Sequence, residues 1–171
     1  MGKYYDFDHS IIDIAEDFYN AYERCREGRN WHIDEYGRHC GECVNVPAIV
    51  NGAFSIELFL KSLSPLSNKE LRKNKHELAK LFLTLEEEDQ ASIRKAVEKR
   101  LPSLYTFDSG LTIINNSFTF WRYIHLKPNF GYGLNVTLNL LDVYLKVIRD
   151  CALKKKDKDK EEQEEFSKPQ S

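Results

Sequence analysis

This 171-residue chain has little net charge, no long apolar run and no sustained alternation of apolar and polar residues. The formal net charge of -2 excludes a strong attraction of the whole molecule to nucleic acid, so a nucleic-acid site would need a local basic patch. The opening residues MGKYYDFDHS lack the apolar run of a signal peptide. No later stretch approaches the roughly 20 apolar residues of a membrane-spanning helix. We therefore expect a cytoplasmic protein without a membrane contact.

The absence of a two-residue alternation argues against β-sheets, whereas apolar residues recur with the period of α-helices. Proline residues interrupt this helical pattern at the ends of several segments. The sequence therefore predicts an all-α bundle of about five to six helices, formed by residues 4–153. The predicted helices cover approximately residues 11–25, 45–63, 87–101, 109–126 and 134–153, and one further helix ends at about residue 85 and starts at either Ser67 or Asn74.

The last residues of the chain differ from the rest in composition. Residues 154–171, KKKDKDKEEQEEFSKPQS, are dense in charge and show no apolar periodicity. Such segments bury too little apolar surface to offset the entropy of ordering. We therefore expect a charged, disordered tail.

Two charged residues interrupt the second predicted helix, VPAIVNGAFSIELFLKSL, which is otherwise apolar on nearly all sides. A helix that is apolar all round is normally buried at the centre of a domain. Glu57 and Lys61 lie one helical turn apart on this segment. Their presence predicts a polar group inside or beside the core.

A second pair of polar residues lies in the aromatic run SFTFWRYIHLK. Arg122 lies four residues and His125 seven residues beyond Phe118, so helical periodicity places both on the apolar stripe. An unpaired buried guanidinium is costly. Glu57 is the predicted partner of Arg122, with Lys61 and His125 nearby.

His76, at the start of the third predicted helix, has two interpretations. It is either a further wall of a cleft around Glu57 and Arg122, or a histidine at a helix start that is solvated or bonded to the second helix. Glu57, Lys61, Arg122 and His125 also have a functional and a structural interpretation, because active sites and structural ion pairs use the same buried charges. The group forms either a functional cleft or a structural Glu57–Arg122 ion pair in a non-enzymatic helical adaptor.

Three segments together resemble the HEPN superfamily of helical proteins. Residues 51–61, NGAFSIELFLK, match the pattern N-x-A-F-x-I-E-L-x-L-K of a prokaryotic branch of that superfamily. Residues 75–82, KHELAKLF, and 118–123, FTFWRY, match its K-H-x-L-x-x-L-F and F-x-x-W-R-Y segments. The similarity covers about residues 45–150. The first match is the most specific, because a Glu and a Lys inside so apolar a run rarely arise by chance.

The resemblance implies an up-and-down HEPN-like bundle that forms a homodimer and acts on RNA. HEPN proteins belong to prokaryotic stress, toxin–antitoxin and phage-defence systems, so a cognate antitoxin or defence-system partner is also implied. Active members are metal-independent endoribonucleases that pair an Arg with a His across the dimer, and no cofactor is expected. Histidine suits proton transfer near neutral pH, and arginine suits a phosphate. On this chain the resemblance implies that Arg122 binds the phosphate and that His125 transfers the proton.

The chain departs from the catalytic pattern of the family in its spacing. The family places about four to six residues between the Arg and the His, whereas only two residues separate Arg122 from His125. Arg26 and His32 have five residues between them, but they lie in the first long connection rather than on the late helix. Both an active endoribonuclease and a degenerate relative therefore agree with the sequence.

A C-x-x-C motif lies in the long connection after the first helix. Cys40 and Cys43 have His32 and His39 close by in sequence. Zinc takes about four nitrogen or sulfur ligands in a tetrahedral array, and one C-x-x-C is half of such a site. We expect free thiols and no metal, with a zinc-stabilised loop as the alternative.

Overall fold

The computed structural model describes residues 7–27, 31–33, 35–36, 39–41, 45–66, 76–115, 117–122 and 134–166. Within these ranges the protein is helical apart from one small β-ribbon, which confirms the predicted all-α class. Five of the described helices have eight or more residues, in agreement with the predicted size of the bundle. The helices are α1 (Phe7–Glu27), α2 (Asn45–Leu63), α3 (Leu78–Phe82), α4 (Glu87–Glu98), α5 (Phe107–Ile114), α6 (Ser117–Arg122) and α7 (Leu134–Phe166).

α2 is the central helix of the bundle. It packs against α1, α6 and α7, and its buried residues cover a wide face of the helix, while the remaining face is partly buried. Contrary to the expectation from the sequence, α2 meets the length and hydropathy of a membrane-spanning helix. In the bundle, 56% of the tested segment is buried by the rest of the protein. Packing against α1 and α7 therefore accounts for the apolar composition of α2.

Gly52 is the point where α1 and α7 approach α2 most tightly. A Cβ atom at this position would lie 2.5 Å from Cδ2 of Leu141 and 2.9 Å from Cδ2 of Tyr22. Real side chains do not tolerate such distances without movement of a neighbour. The small residue at position 52 is therefore a condition for the packing of these three helices.

The apolar seam of α7 is used inside the subunit. The sequence shows a coiled-coil-like repeat at positions 134, 138, 141, 145, 148 and 152. Leu138, Leu141, Leu145, Ile148 and Ala152 are all buried in the core of the single chain. This seam therefore packs against the bundle and is not available to a second subunit.

The predicted fifth helix, residues 109–126, is interrupted. Helix α5 ends at Ile114 and α6 begins at Ser117. Asn115, between them, accepts hydrogen bonds from Ala79 N through Oδ1 at 2.7 Å and from Leu78 N through its carbonyl at 3.4 Å. Asn115 thereby accepts from amide groups at the start of α3. Glu77, the residue before α3, makes no capping hydrogen bond with its side chain. The interruption arises from this tertiary contact, which helical periodicity does not reveal.

The tail also differs from the prediction. Helix α7 continues to Phe166, so residues 154–166 are helical rather than disordered. Lys155 bonds Asp89 of α4 at 3.0 Å, and Lys156 bonds Asp13 of α1 at 2.9 Å. Lys and Glu are good helix formers, and these two contacts attach the extension to the bundle. Residues 167–171 lie outside the described ranges.

The long connection after α1 contains a β-ribbon that the sequence did not predict. Strand β1 (Trp31–Ile33) pairs antiparallel with β2 (His39–Gly41), and His32 lies opposite Cys40 in the register. Each strand has three residues, which is too short for an alternating pattern to be recognised.

Candidate functional site

Glu57 is a fully buried charged residue on the central helix. Its side chain is only 1% exposed, and no other charged residue among those that the structure describes is classed as buried. Glu57 lies on α2 beside the core residues Ile56 and Leu60. A carboxylate in such surroundings is destabilising unless both oxygens have partners.

Both oxygens of Glu57 have partners. Lys61 Nζ donates to Oε1 at 2.6 Å, and His76 Nδ1 lies 2.8 Å from Oε2. Lys61 follows Glu57 by one turn of the same helix, whereas His76 comes from the residues just before α3. We refer to Glu57, Lys61 and His76 as the Glu57 cluster. The structure thus brings together three residues that the sequence analysis singled out.

The two partners of Glu57 reach from the core towards the surface. The Lys61 side chain is 22% exposed and the His76 side chain is 45% exposed, against 1% for Glu57. A carboxylate accepts hydrogen bonds, so Nδ1 of His76 carries the proton in this contact. In the neutral ring Nε2 then has a free lone pair. The cluster therefore presents an oriented imidazole at the edge of the bundle.

Aromatic rings hold the imidazole on its other side. The ring of His76 lies 4.7 Å from that of Phe118 in α6, which stacks on Phe54 of α2 at 4.9 Å. Phe54 in turn makes an edge-to-face contact with Phe18 of α1 at 4.5 Å. Such ring pairs add to the stabilisation from area burial alone. They connect the position of His76 to three helices.

Of the two predicted catalytic residues, Arg122 is described only in its backbone. It is the last residue of α6, one helical turn beyond Phe118. Its side chain and the whole of His125 lie outside the described parts of the structure. The predicted Glu57–Arg122 contact therefore stays a prediction.

A second polar group, missed by the sequence analysis, connects α1 to α7. Tyr22 OH donates to Asp142 Oδ1 at 2.8 Å, and Arg26 Nη1 donates to Tyr22 OH at 3.1 Å and forms an ion pair with Asp142. Lys146 Nζ contacts the other oxygen of Asp142 at 3.1 Å. We refer to these four residues as the Asp142 cluster. Tyr22 and Asp142 are 120 residues apart in sequence, so no local pattern pointed to their contact.

The surroundings of the Asp142 cluster raise the pKa values of Tyr22 and Arg26. Burial first, and then the charge of Asp142, raise the pKa of the Tyr22 phenol well above its usual range. Burial opposes the charge on Arg26, but Tyr22 and Asp142 outweigh it and raise the pKa of the guanidinium. The guanidinium of Arg26 is thus engaged within its own subunit. Arg26 lies in the last turn of α1 rather than in the connection after it, where the sequence analysis placed it.

A neighbouring ion pair adds to the contact between the same helices. Arg149 of α7 binds both carboxylate oxygens of Glu16 in α1, at 2.6 and 2.8 Å, and its guanidinium lies 4.4 Å from the ring centroid of Tyr19. This two-point geometry is among the stronger forms of an ion pair. It stabilises the docking of α7 on α1.

The proposed zinc ligands lie in a part of the chain that the structure describes only in its backbone or not at all. The side chains of His32, His39 and Cys40 and all of Cys43 are outside the description. Among the described side chains, no group of three or more His, Cys, Asp or Glu residues could hold a metal ion. The preference for free thiols over a zinc site therefore stays a prediction.

A cleft of about 460 Å³ opens elsewhere, between α4 and α7. None of the Glu57 cluster lines it. Its walls carry both acidic and basic side chains, and Lys155–Asp89 is one of the ion pairs across it. Burial raises the pKa of the Cys151 thiol in this cleft, which disfavours the reactive thiolate. Cys151 is therefore poorly suited to act as a nucleophile in this cleft.

No protein-family model, curated protein or solved structure matches this chain. The resemblance to HEPN proteins is therefore carried by the sequence motifs.

Proposed function

We propose that this chain is a HEPN-like prokaryotic stress, defence or toxin–antitoxin protein that acts on RNA, as a metal-independent endoribonuclease or a degenerate relative. The observation that carries the proposal is the Glu57 cluster. A carboxylate buried in the central helix holds a half-exposed imidazole beside the short helix that ends in Arg122. The exposed imidazole beside a buried carboxylate is the feature of this cluster that a substrate could reach.

The proposal assigns separate roles to the polar residues around α6. Arg122 supplies a permanent cation with the bidentate geometry that suits a phosphate group, and His125 moves protons near neutral pH. The residues just before His76 include Lys69, Arg72, Lys73 and Lys75. In the proposal this basic stretch of sequence supplies the local positive charge that a chain of net charge -2 needs to attract RNA.

A specific observation favours a second candidate function, a non-enzymatic helical adaptor. Both oxygens of Glu57 are already bonded to Lys61 and His76 inside one subunit. The cluster can therefore fix the position of α2 relative to the start of α3 without any ligand or any contact with Arg122. In this case the protein has no RNase activity and acts through its surface alone.

The experiment that separates the two functions is an RNA-cleavage assay in EDTA with wild-type protein and the variants Arg122→Ala and His125→Ala. Loss of the proton-transfer group in His125→Ala lowers the rate by roughly 10²–10⁴-fold, and Arg122→Ala removes the cation that stabilises the phosphate. We therefore expect both variants to lose cleavage while remaining folded by circular dichroism. Arg24→Ala, at an exposed position on α1, is the matched control and should cleave like the wild type. Cleavage that survives in all variants would assign the activity to a contaminant. No cleavage by the wild type would favour the adaptor.

The proposal includes a homodimer, because the related catalytic sites are formed by two subunits. Since the apolar seam of α7 is buried in the single chain, the dimer would form through another surface. Sedimentation velocity at micromolar protein concentration should show the dimer. A monomer at that concentration would exclude a site shared between two subunits.

A further inference from the structure

We propose that His76, oriented by Glu57, is the group that takes the proton from the attacking 2′-hydroxyl of the RNA. This inference rests on the proposed function and deepens it, since that function needs one group to accept a proton and another to donate one. Neither the motif match nor the spacing of Arg122 and His125 assigns either step to His76. The assignment comes from the geometry of the Glu57 cluster.

The first argument is the orientation of the ring. Nδ1 of His76 lies 2.8 Å from Oε2 of Glu57, so the proton of the neutral ring is on Nδ1 and the lone pair is on Nε2. A general base needs this tautomer, with the free nitrogen directed away from its orienting carboxylate. Among the described residues, none makes a hydrogen bond to Nε2 of His76.

The second argument is the contrast in burial between the two partners. Glu57 is 1% exposed and is held on the central helix by Lys61, whereas the side chain of His76 is 45% exposed. The orienting group is thus fixed in the core, and the group that it orients reaches solvent. A purely structural pair has no need of an exposed imidazole, while a base that meets a substrate needs one.

The third argument is the support of the ring by its neighbours. Phe118 lies 4.7 Å from the His76 ring and belongs to α6, the helix that ends in Arg122. The His76 ring contacts Phe118, and the backbone of Arg122 lies one helical turn beyond Phe118 on the same helix. A ring held on two sides loses little entropy on binding a substrate.

The proposed step conserves atoms and charge. Nε2 of His76 takes the proton of the 2′-hydroxyl, and the 2′-oxygen attacks the adjacent phosphorus. The bond from phosphorus to the 5′-oxygen breaks, and that oxygen takes a proton from water. The products are a 2′,3′-cyclic phosphate and a free 5′-hydroxyl, and the proton held by His76 neutralises the resulting hydroxide, which returns the ring to its neutral state.

The test uses a variant that retains the contact with Glu57 but lacks the base. In His76→Asn the side-chain amide can donate to Glu57 in place of Nδ1, and no nitrogen remains at the position of Nε2. We expect cleavage of RNA to fall by about 100-fold or more, with the same melting temperature and the same binding of an uncleavable 2′-O-methyl RNA. Glu77→Gln, whose carboxylate contacts Lys80 at 2.9 Å, is the neighbouring control and should cleave normally.

A second measurement covers the case in which His76→Asn does not fold. Imidazole ¹⁵N NMR of the wild type should show the Nδ1–H tautomer of His76, and its Nε2 resonance should move when 2′-O-methyl RNA is added. An unchanged Nε2 resonance at saturating RNA overturns the assignment, as does His76→Asn that cleaves within tenfold of a cleaving wild type. Both results leave the proposed function standing. A wild type that neither binds nor cleaves RNA overturns the proposed function and this inference together.

Discussion

The Glu57 cluster and the Asp142 cluster both place charges inside an apolar bundle, but they bury the anion to different depths. In the Glu57 cluster the anion is 1% exposed while its partners, Lys61 and His76, are 22% and 45% exposed. In the Asp142 cluster the anion is 21% exposed, and its partners Arg26 and Lys146 are 30% and 43% exposed. The two clusters therefore differ in the burial of the anion, which is complete for Glu57 and partial for Asp142.

This difference distinguishes two uses of buried charge. The groups of the Asp142 cluster form hydrogen bonds with one another, and the bond between Tyr22 and Asp142 connects α1 to α7. The Glu57 cluster leaves one ring nitrogen directed away from its carboxylate. The first arrangement is complete within the bundle. The second would leave Nε2 for a further contact, as the proposed role of His76 requires.

The largest effect is expected when Glu57 loses both partners. In the double variant Lys61→Leu/His76→Leu the carboxylate stays buried without a counter-charge, which costs about 3–5 kcal/mol of unfolding free energy. The matched variant Arg26→Leu/Lys146→Leu leaves Asp142 bonded to Tyr22 and partly in solvent, so we expect a loss of about 1 kcal/mol. Urea denaturation of both variants measures the difference. Equal losses would contradict the contrast between the two clusters.

A smaller, pH-dependent effect is expected in the Asp142 cluster. Tyr22→Phe removes one hydrogen bond to Asp142, and we expect it to lower the unfolding free energy by about 0.5–1.5 kcal/mol near pH 8. Because the pKa of Tyr22 is raised in the folded state, the unfolded chain releases this proton first as the pH rises above the ordinary value of 10.0. The wild type therefore loses stability above that pH, and the variant lacks this part of the loss.

The measurement is the difference in unfolding free energy between wild type and Tyr22→Phe at about pH 9 and pH 11. It should narrow with rising pH, by at most about 1.4 kcal/mol per pH unit. Tyr144, whose pKa is also raised by burial, titrates in both proteins and drops out of the comparison. A difference that stays constant over this range would mean that Tyr22 titrates alike in the folded and unfolded chains.

The smallest effect is expected for the end of α7, which belongs to neither cluster. Ending the chain after Lys156 retains the contacts of Lys155 with Asp89 and of Lys156 with Asp13. Residues 157–163 are exposed, and Lys158 contacts Glu162 within the same helix at 3.7 Å. We expect an unchanged melting temperature by differential scanning calorimetry. A decrease of several degrees would show that the extension stabilises the bundle through contacts beyond these two.

Parts of the architecture could be read from the sequence because they depend on neighbours along the chain. The periodicity of apolar residues predicts α2 and its central position, and Glu57 and Lys61 are one turn apart on it. The interruption at Asn115 could not be predicted, because it depends on amide groups of α3 that are 36 residues away. The same holds for the contact of Tyr22 with Asp142, where neither residue departs from an ordinary helical pattern.

The sequence by itself determined that the protein is a helical bundle and that a Glu and a Lys lie within its most apolar helix, since helix formation and burial follow from local pattern. Only the tertiary structure decided which second group meets Glu57. The sequence pointed to Arg122, whereas the structure places His76 on Oε2, and the position of the Arg122 side chain stays a prediction. A buried carboxylate accepts whichever donor the packing of the helices brings within about 3 Å, and that packing is a property of the whole bundle.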